Sequence, residues 1–141
     1  MKLWASLYLM IWLAFLEFLL VLVPIQLPFK IELHALLGVA ILLLALYNRQ
    51  SVSETDAPDR IKRITRATAW FAIAEGVLGV LLYFRIAVDL MTFLHIVASF
   101  AIITQAASAA TGYDMWEEKE FGQGLEGEGK PQQASQTHRA G

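Results

Sequence analysis

The chain has 141 residues, of which 57% are hydrophobic and 17% charged, and it contains no cysteine. This composition is too apolar for an ordinary soluble domain, and the lack of thiols excludes disulfides, iron–sulfur clusters and c-type haem attachment. The formal net charge of −2 averages a basic central segment with an acidic C-terminal one, so the net value alone identifies no partner.

Four apolar segments follow one another along the chain, at residues 3–23, 29–47, 67–84 and 88–110. An apolar run of about 18 residues or more is long enough to cross the hydrocarbon core of a bilayer. No small-residue cleavage site follows the first segment before Pro24, so we expect it to remain as a helix and not to be removed as a signal peptide. The sequence therefore predicts an all-α integral membrane bundle of four helices over residues 1–112, built from two pseudo-symmetric helix pairs.

Lysine and arginine are distributed unevenly between the connections. The central loop and its flanks carry five of these cations: Arg49, Arg60, Lys62, Arg63 and Arg66. Only Lys30 and Arg85 lie at the opposite helix ends. Because cytoplasmic loops are enriched in Lys and Arg, we expect a multi-pass protein of the cell membrane with both termini in the cytoplasm. The basic cluster suits an anionic lipid surface, so we expect the lipid bilayer as its partner and no nucleic acid.

The composition changes abruptly after Gly112. Residues 113–141 are rich in Glu, Gln, Gly, Ser and Lys and contain few apolar side chains. Such a segment buries too little surface to offset the entropy lost on ordering. The sequence therefore predicts a disordered cytoplasmic tail, and we assign no role to its His138.

Each half of the chain carries one glutamate and one histidine inside its apolar segments. These are Glu17 and His34 in the first half, and Glu75 and His95 in the second. At helical spacing, His34 shares a face with Gly38, Ile41 and Ala45, and His95 shares one with Ser99, Ile102 and Ala106. This repetition predicts that the two histidine-bearing helices face each other and that the four ionisable groups lie at similar depth.

An ionisable group inside a membrane costs at least about 2.5 kcal/mol on insertion scales, so it requires a partner or a purpose. In one interpretation, His34 and His95 are the axial ligands of a single b-type haem, because each supplies a neutral imidazole nitrogen. Gly38 and Ser99 would leave room for the macrocycle. Lys30 and Arg85 would pair with its propionates.

Two other interpretations stay open. In the second, both glutamates and both histidines chelate a metal ion directly, as carboxylates and imidazoles of facing helices do in some bundles, although the Glu-x-x-His spacing of those bundles is absent. In the third, the histidines and glutamates pair with each other or with backbone carbonyls and only fix the helix register.

The second half of the chain resembles haem A synthases. Residues 75–80 (EGVLGV), followed by residues 95–100 (HIVASF), are similar to that family's third and fourth helices, where a Gln-x-x-Leu-Gly-like segment precedes a haem-ligating histidine. Residues 31–34 (IELH) resemble the family's second helix, in which an acidic residue precedes a histidine. The resemblance covers about residues 3–110, which is one of the family's two tandem four-helix bundles, and Glu75 stands where glutamine is usual.

This resemblance implies a four-helix haem-binding bundle with His34 and His95 as paired ligands of the haem iron. It makes Glu32 the nearest counterpart of the family's functional acid, and a homodimer would rebuild the tandem arrangement. We expect haem b bound for electron transfer or haem modification in a respiratory membrane. Binding is favoured over catalysis, since iron with two histidine ligands has no open position. The alternative is a non-catalytic accessory subunit of a larger respiratory complex without a cofactor of its own.

Overall fold

The computed structural model describes residues 2–24 and 28–128, with side chains as far as residue 120. These residues form four α helices and no strand, and the helices are α1 (Leu3–Leu22), α2 (Lys30–Ser53), α3 (Asp59–Tyr83) and α4 (Val88–Glu128). Each of the four is long and apolar enough to cross a membrane. The prediction of an all-α bundle of four helices is thus confirmed for the described part of the chain.

Each helix packs against two others, and the pairs in contact are α1–α2, α2–α3, α3–α4 and α1–α4. The helices therefore form an up-and-down bundle in which α1 lies diagonally opposite α3, and α2 opposite α4. We call the end that contains the start of α1 and the α2–α3 connection the proximal end. The distal end contains the α1–α2 and α3–α4 connections.

At the proximal end, α2, α3 and α4 extend beyond their apolar segments. The α2–α3 connection covers only residues 54–58, and α4 continues to Glu128. The prediction of a disordered tail from residue 113 is therefore corrected for residues 113–128, while residues 129–141 lie outside the described part of the chain. The physical reason is that Tyr113 and Trp116 continue the inward face of α4, where they pack with Leu3, Leu7 and Ala110.

The centre of the bundle is filled mainly by small side chains. One buried cluster contains Met10, Ala14, Ile41, Ala45, Ala69, Ala72, Ile102 and Ala106. The predicted inward faces of α2 and α4 meet in this cluster, because Ile41 and Ile102 are both 4% exposed and Ala45 and Ala106 are at most 1% exposed. The expectation that the two histidine-bearing helices face each other is confirmed.

Two polar contacts join α1 to α2, one toward each end of the bundle. Ser6 and Asn48 are fully buried between α1 and α2, and the Ser6 hydroxyl donates a hydrogen bond to the side-chain oxygen of Asn48. At the other end of the molecule, Lys30 donates to the carbonyl of Val23 at 3.0 Å. This bond satisfies a carbonyl that follows the last turn of α1.

The distal α3–α4 turn contains two non-glycine residues with a left-handed backbone, Arg85 (φ 56°) and Ala87 (φ 45°). The amide of Ile86 donates to the carbonyl oxygen of Leu81 at 3.0 Å, and the amide of Arg85 donates to the carbonyl oxygen of Leu82 at 2.9 Å. These two bonds define a Schellman motif, in which the left-handed position is usually glycine. Arginine at this position keeps a backbone that its Cβ disfavours.

Candidate functional site

One ionisable side chain from each helix meets in a single layer inside the bundle. The Oε1 atom of Glu17 on α1 lies 3.4 Å from Nδ1 of His34 on α2. The Oε2 atom of Glu75 on α3 lies 3.3 Å from Nδ1 of His95 on α4. The two imidazole rings contact each other, with centroids 5.9 Å apart and planes at 74°. We call these four residues the Glu–His layer.

The layer follows from helical spacing. His34 and His95 each lie seven residues before a buried isoleucine, Ile41 and Ile102, so each ring is on the inward face of its helix about two turns further toward the distal end. Glu17 and Glu75 each lie three residues after a buried alanine of the central cluster. Because neighbouring helices run in opposite directions, all four side chains reach the same level.

The two Glu–His pairs differ in one partner. The hydroxyl of Ser99 donates a hydrogen bond to Oε1 of Glu75 and also lies 3.0 Å from the carbonyl oxygen of His95. The position that corresponds to Ser99 on α2 is Gly38, which has no side chain. A Cβ added at Gly38 would lie 3.1 Å from Oε1 of Glu17, so this carboxylate rests against the backbone of α2. The second half therefore has a Ser–Glu–His triad, and the first has only a Glu–His pair.

The layer is largely enclosed. The side chains of His34 and Glu17 are 32% and 20% exposed, and those of His95 and Glu75 are 19% and 17% exposed. The Nδ1 atoms of both histidines are buried and make no aligned hydrogen bond. Hydrogen bonds from nitrogen to oxygen usually measure about 2.7–3.2 Å, so each carboxylate lies just beyond that range.

This arrangement has two chemical uses. A histidine whose Nδ1 faces a carboxylate has its tautomer and orientation set, which leaves Nε2 as the nitrogen for a metal. Four polar groups in ion-pair range of one another also join four helices at one level, as interhelical polar contacts do in membranes. Among the described side chains, no group of three or more histidines and carboxylates is placed to hold a metal ion directly. Direct chelation by the four residues gains no support from this finding.

The structure brings some of the predicted site residues into the layer but leaves others outside it. Ser99 and Gly38 border the layer, although Ser99 was expected only to leave space. Lys30 is bonded to the end of α1, and Arg85 is exposed in the distal turn. Glu32 is exposed in the first turn of α2, where its carboxylate interacts favourably with the positive end of the helix dipole.

Sequence reasoning missed the contact between Ser99 and Glu75. The signal available was the position of Ser99 one turn after His95, on the same face, with a hydroxyl able to reach a neighbouring helix. The buried pair of Ser6 and Asn48 was also missed. Asn48 stands three residues after Ala45 on the inward face of α2, and this spacing is the signal that could have found it.

No protein-family model, curated protein or solved structure matches the chain. The described residues define the protein by its structure: a bundle of four membrane-length helices with one interior layer of two glutamates and two histidines. The resemblance to haem A synthases gains no support from these comparisons and stays a prediction.

Proposed function

We propose that the chain is a multi-pass membrane protein that binds one b-type haem between His34 and His95 and uses it for electron transfer. One observation carries the proposal: two imidazoles from diagonally opposite helices meet inside the bundle with ring centroids 5.9 Å apart. Nothing in ordinary helix packing requires two histidines at this level. The two rings in contact also occupy equivalent positions in the two halves of the chain.

The separation of the rings suits a shared metal. An imidazole nitrogen binds a metal at about 2.0 Å, so two nitrogens on opposite sides of one ion lie about 4 Å apart and the ring centroids roughly 6 Å apart. The observed 5.9 Å agrees with this value. The donor set agrees as well, because paired histidines are common axial ligands of haem in helical proteins.

The surroundings of the rings fit the same interpretation. A metal-bound histidine usually gives its second ring nitrogen to a carboxylate, and Glu17 and Glu75 lie beside the two Nδ1 atoms. Glycines lie beside the layer on α2 and α3. A Cβ at Gly79 would lie 3.7 Å from Cε1 of His95, and one at Gly38 would lie 3.1 Å from Oε1 of Glu17, so both glycines let a helix backbone approach the layer closely.

The haem would supply one-electron redox chemistry. In the proposed function, His34 and His95 would be the residues that hold the iron, and Glu17 and Glu75 would orient the imidazoles through Nδ1. Phe18 and Phe100, each next in sequence to a residue at the layer, contact each other with ring centroids 5.0 Å apart. An enclosed, apolar setting of this kind favours electron transfer over reactions that need an open coordination position.

The basic residues support an orientation with the proximal end in the cytoplasm. Arg49, Arg60 and Arg63 are exposed at the proximal end, whereas the distal end carries Lys30 and Arg85. The positive-inside rule then places the Glu–His layer in the extracytoplasmic half of the membrane. Lys30 and Arg85 lie at the helix ends nearest the layer, where their cations suit the propionates of a haem.

Visible spectroscopy tests the proposal. The full chain, purified in mild detergent with haem added, should give a sharp low-spin b-type spectrum in the reduced-minus-oxidised difference. The low-spin signal should disappear in His34→Ala and in His95→Ala and remain in His138→Ala, a control that removes the third histidine of the chain. A folded protein that stays colourless after addition of haem would overturn the proposal and leave the accessory-subunit function as the better account.

A further inference from the structure

The two histidines of the Glu–His layer are held to different degrees. His95 faces a carboxylate that is itself bonded to the Ser99 hydroxyl, whereas His34 faces a carboxylate that rests only against Gly38. The exposed fraction of the side chain is 19% for His95 and 32% for His34. The Glu17–His34 pair therefore has fewer hydrogen bonds and a more exposed histidine than the Glu75–His95 pair.

We propose that Ser99 and Glu75 are positioning residues that make His95 the permanent ligand, while His34 is the ligand that a small neutral molecule can replace. This inference rests on the proposed haem function and adds to it a preferred face. The face on the α2 side, next to His34, is the one at which a diatomic ligand such as carbon monoxide would bind.

The physical reason lies in the freedom of the two carboxylates. A hydrogen bond from Ser99 restricts Glu75 in direction, and Glu75 in turn restricts the ring of His95 and increases its strength as a ligand. The contact of Glu17 with Gly38 excludes some rotamers but supplies no donor, so the ring of His34 keeps more orientations. Ordering those orientations costs conformational entropy each time His34 binds. Release of His34 is thus the easier of the two releases.

The side chains on the other elements around His34 agree with this assignment. His34 is in ring contact with His95 and in ion-pair range of Glu17, while Lys30, one turn earlier on α2, bonds to Val23. None of these contacts supplies His34 with the hydroxyl-held carboxylate that His95 has. The difference between the rings therefore comes from one pair of equivalent positions, Gly38 and Ser99.

The first experiment uses the haem-free protein. Nitrogen NMR of protein labelled in its histidines reports the tautomer of each ring, and His138→Ala assigns the third signal. We expect His95 to hold the proton at Nδ1 in a single tautomer and His34 to exchange between tautomers. Ser99→Ala should give His95 the mixed signal of His34 and leave His34 unchanged. Equal tautomer populations at the two rings in the unmodified protein would overturn the positioning role of Ser99 and Glu75.

The second experiment uses carbon monoxide and the reduced, haem-loaded protein. His34→Ala should keep the haem in a form that binds carbon monoxide, whereas His95→Ala should lose it. Ser99→Ala should weaken haem retention by about tenfold or more, the usual effect of removing a residue that supports a metal ligand. Retention by His95→Ala and loss by His34→Ala would reverse the assignment while leaving the haem function intact. If no form of the protein takes up haem, the proposed function fails, and the NMR result still decides the positioning of His95.

Discussion

His34 and His95 belong to helices that are not neighbours in the bundle, yet their imidazole rings are in contact, 5.9 Å apart between centroids. The bundle axis must therefore pass through the Glu–His layer. Each ring also touches a glutamate of an adjacent helix, so the layer links all four helices at one level. A change at any of its members should affect the association of more than one helix pair.

Loss of Glu75 should destabilise the haem-free protein more than loss of Glu17. Removal of either carboxylate takes away the charged group that faces a buried imidazole nitrogen, at 3.4 Å for Glu17 and 3.3 Å for Glu75, so both variants should lose stability. Glu75→Ala also removes the interhelical acceptor of Ser99, whose hydroxyl then has only the carbonyl oxygen of His95 on its own helix, so we expect the larger effect there. Thermal unfolding in detergent, followed by circular dichroism, measures the difference. Equal losses in Glu17→Ala and Glu75→Ala would show that the Ser99 bond contributes nothing to stability.

The same glycine-to-alanine substitution should have different effects at two positions. At Gly112 a new Cβ would lie 3.5 Å from Cγ1 of Ile61, an ordinary contact, and alanine is favoured over glycine in a helix by about 1 kcal/mol. Gly112→Ala should therefore raise the free energy of unfolding by about 0.5–1 kcal/mol. At Gly38 the new Cβ would press against Glu17 at 3.1 Å, so Gly38→Ala should not gain this stability.

Gly76→Ala serves as the control, because a Cβ added there meets no atom within 4 Å. We expect it to behave as Gly112→Ala does in the same unfolding measurement. A gain in stability at Gly38 equal to that at Gly76 would mean that Glu17 is not confined by the backbone of α2. The side chain of Glu17 would then be able to adopt more rotamers than its contact with Gly38 suggests.

The inward faces of the helices could be predicted from the sequence because burial in a bundle follows the helical period. Ile41, Ala45, Ile102 and Ala106 were placed correctly by spacing alone. The same spacing brought His34 and His95 to one level. Helix ends were less predictable, because an apolar segment ends where the chain becomes polar, whereas α2, α3 and α4 continue past that point with polar residues on their outer faces.

The partner of a polar side chain could not be predicted in the same way. Ser99 was placed on the correct face, but its bond to Glu75 depends on the rotation of α3 about its own axis, which no local pattern records. Lys30 is a similar case. Its chain is long enough to reach either a ligand or the end of α1, and the course of the α1–α2 turn decides that it bonds to Val23. Long-range geometry thus determined which contact formed.

The buried contact between Ser6 and Asn48 should hold α1 against α2 at the proximal end. Asn48→Ala leaves the Ser6 hydroxyl without its interhelical acceptor, and polar contacts between membrane helices are worth about 0.6 kcal/mol on average and about 1.7 at most. We expect a loss in this range, measured by unfolding in a denaturing detergent. Arg49→Ala, at the exposed neighbouring position, is the matched control and should change little.

A double-mutant cycle separates the contact from the packing of each residue. If Ser6→Ala and Asn48→Ala act through one hydrogen bond, the double variant should lose less than the sum of the two single losses. Strictly additive losses would indicate that each side chain stabilises its own helix independently. The Asn48 amide also lies 3.7 Å from the sulfur of Met10, so Met10→Leu tests whether that contact adds to the loss.

Arg85 offers a test that separates a backbone effect from a side-chain effect. Its left-handed backbone costs a residue with a Cβ roughly 1–2 kcal/mol relative to glycine, so Arg85→Gly should stabilise the haem-free protein by about 1 kcal/mol. Ala87→Gly relieves the same kind of strain two residues later without removing a charge, and it should give a similar gain. If the guanidinium pairs with a haem propionate, only Arg85→Gly should also weaken haem binding, measured by titration with haem at two salt concentrations. Equal haem affinity in both variants would remove Arg85 from the proposed site and leave it as a residue of the turn alone.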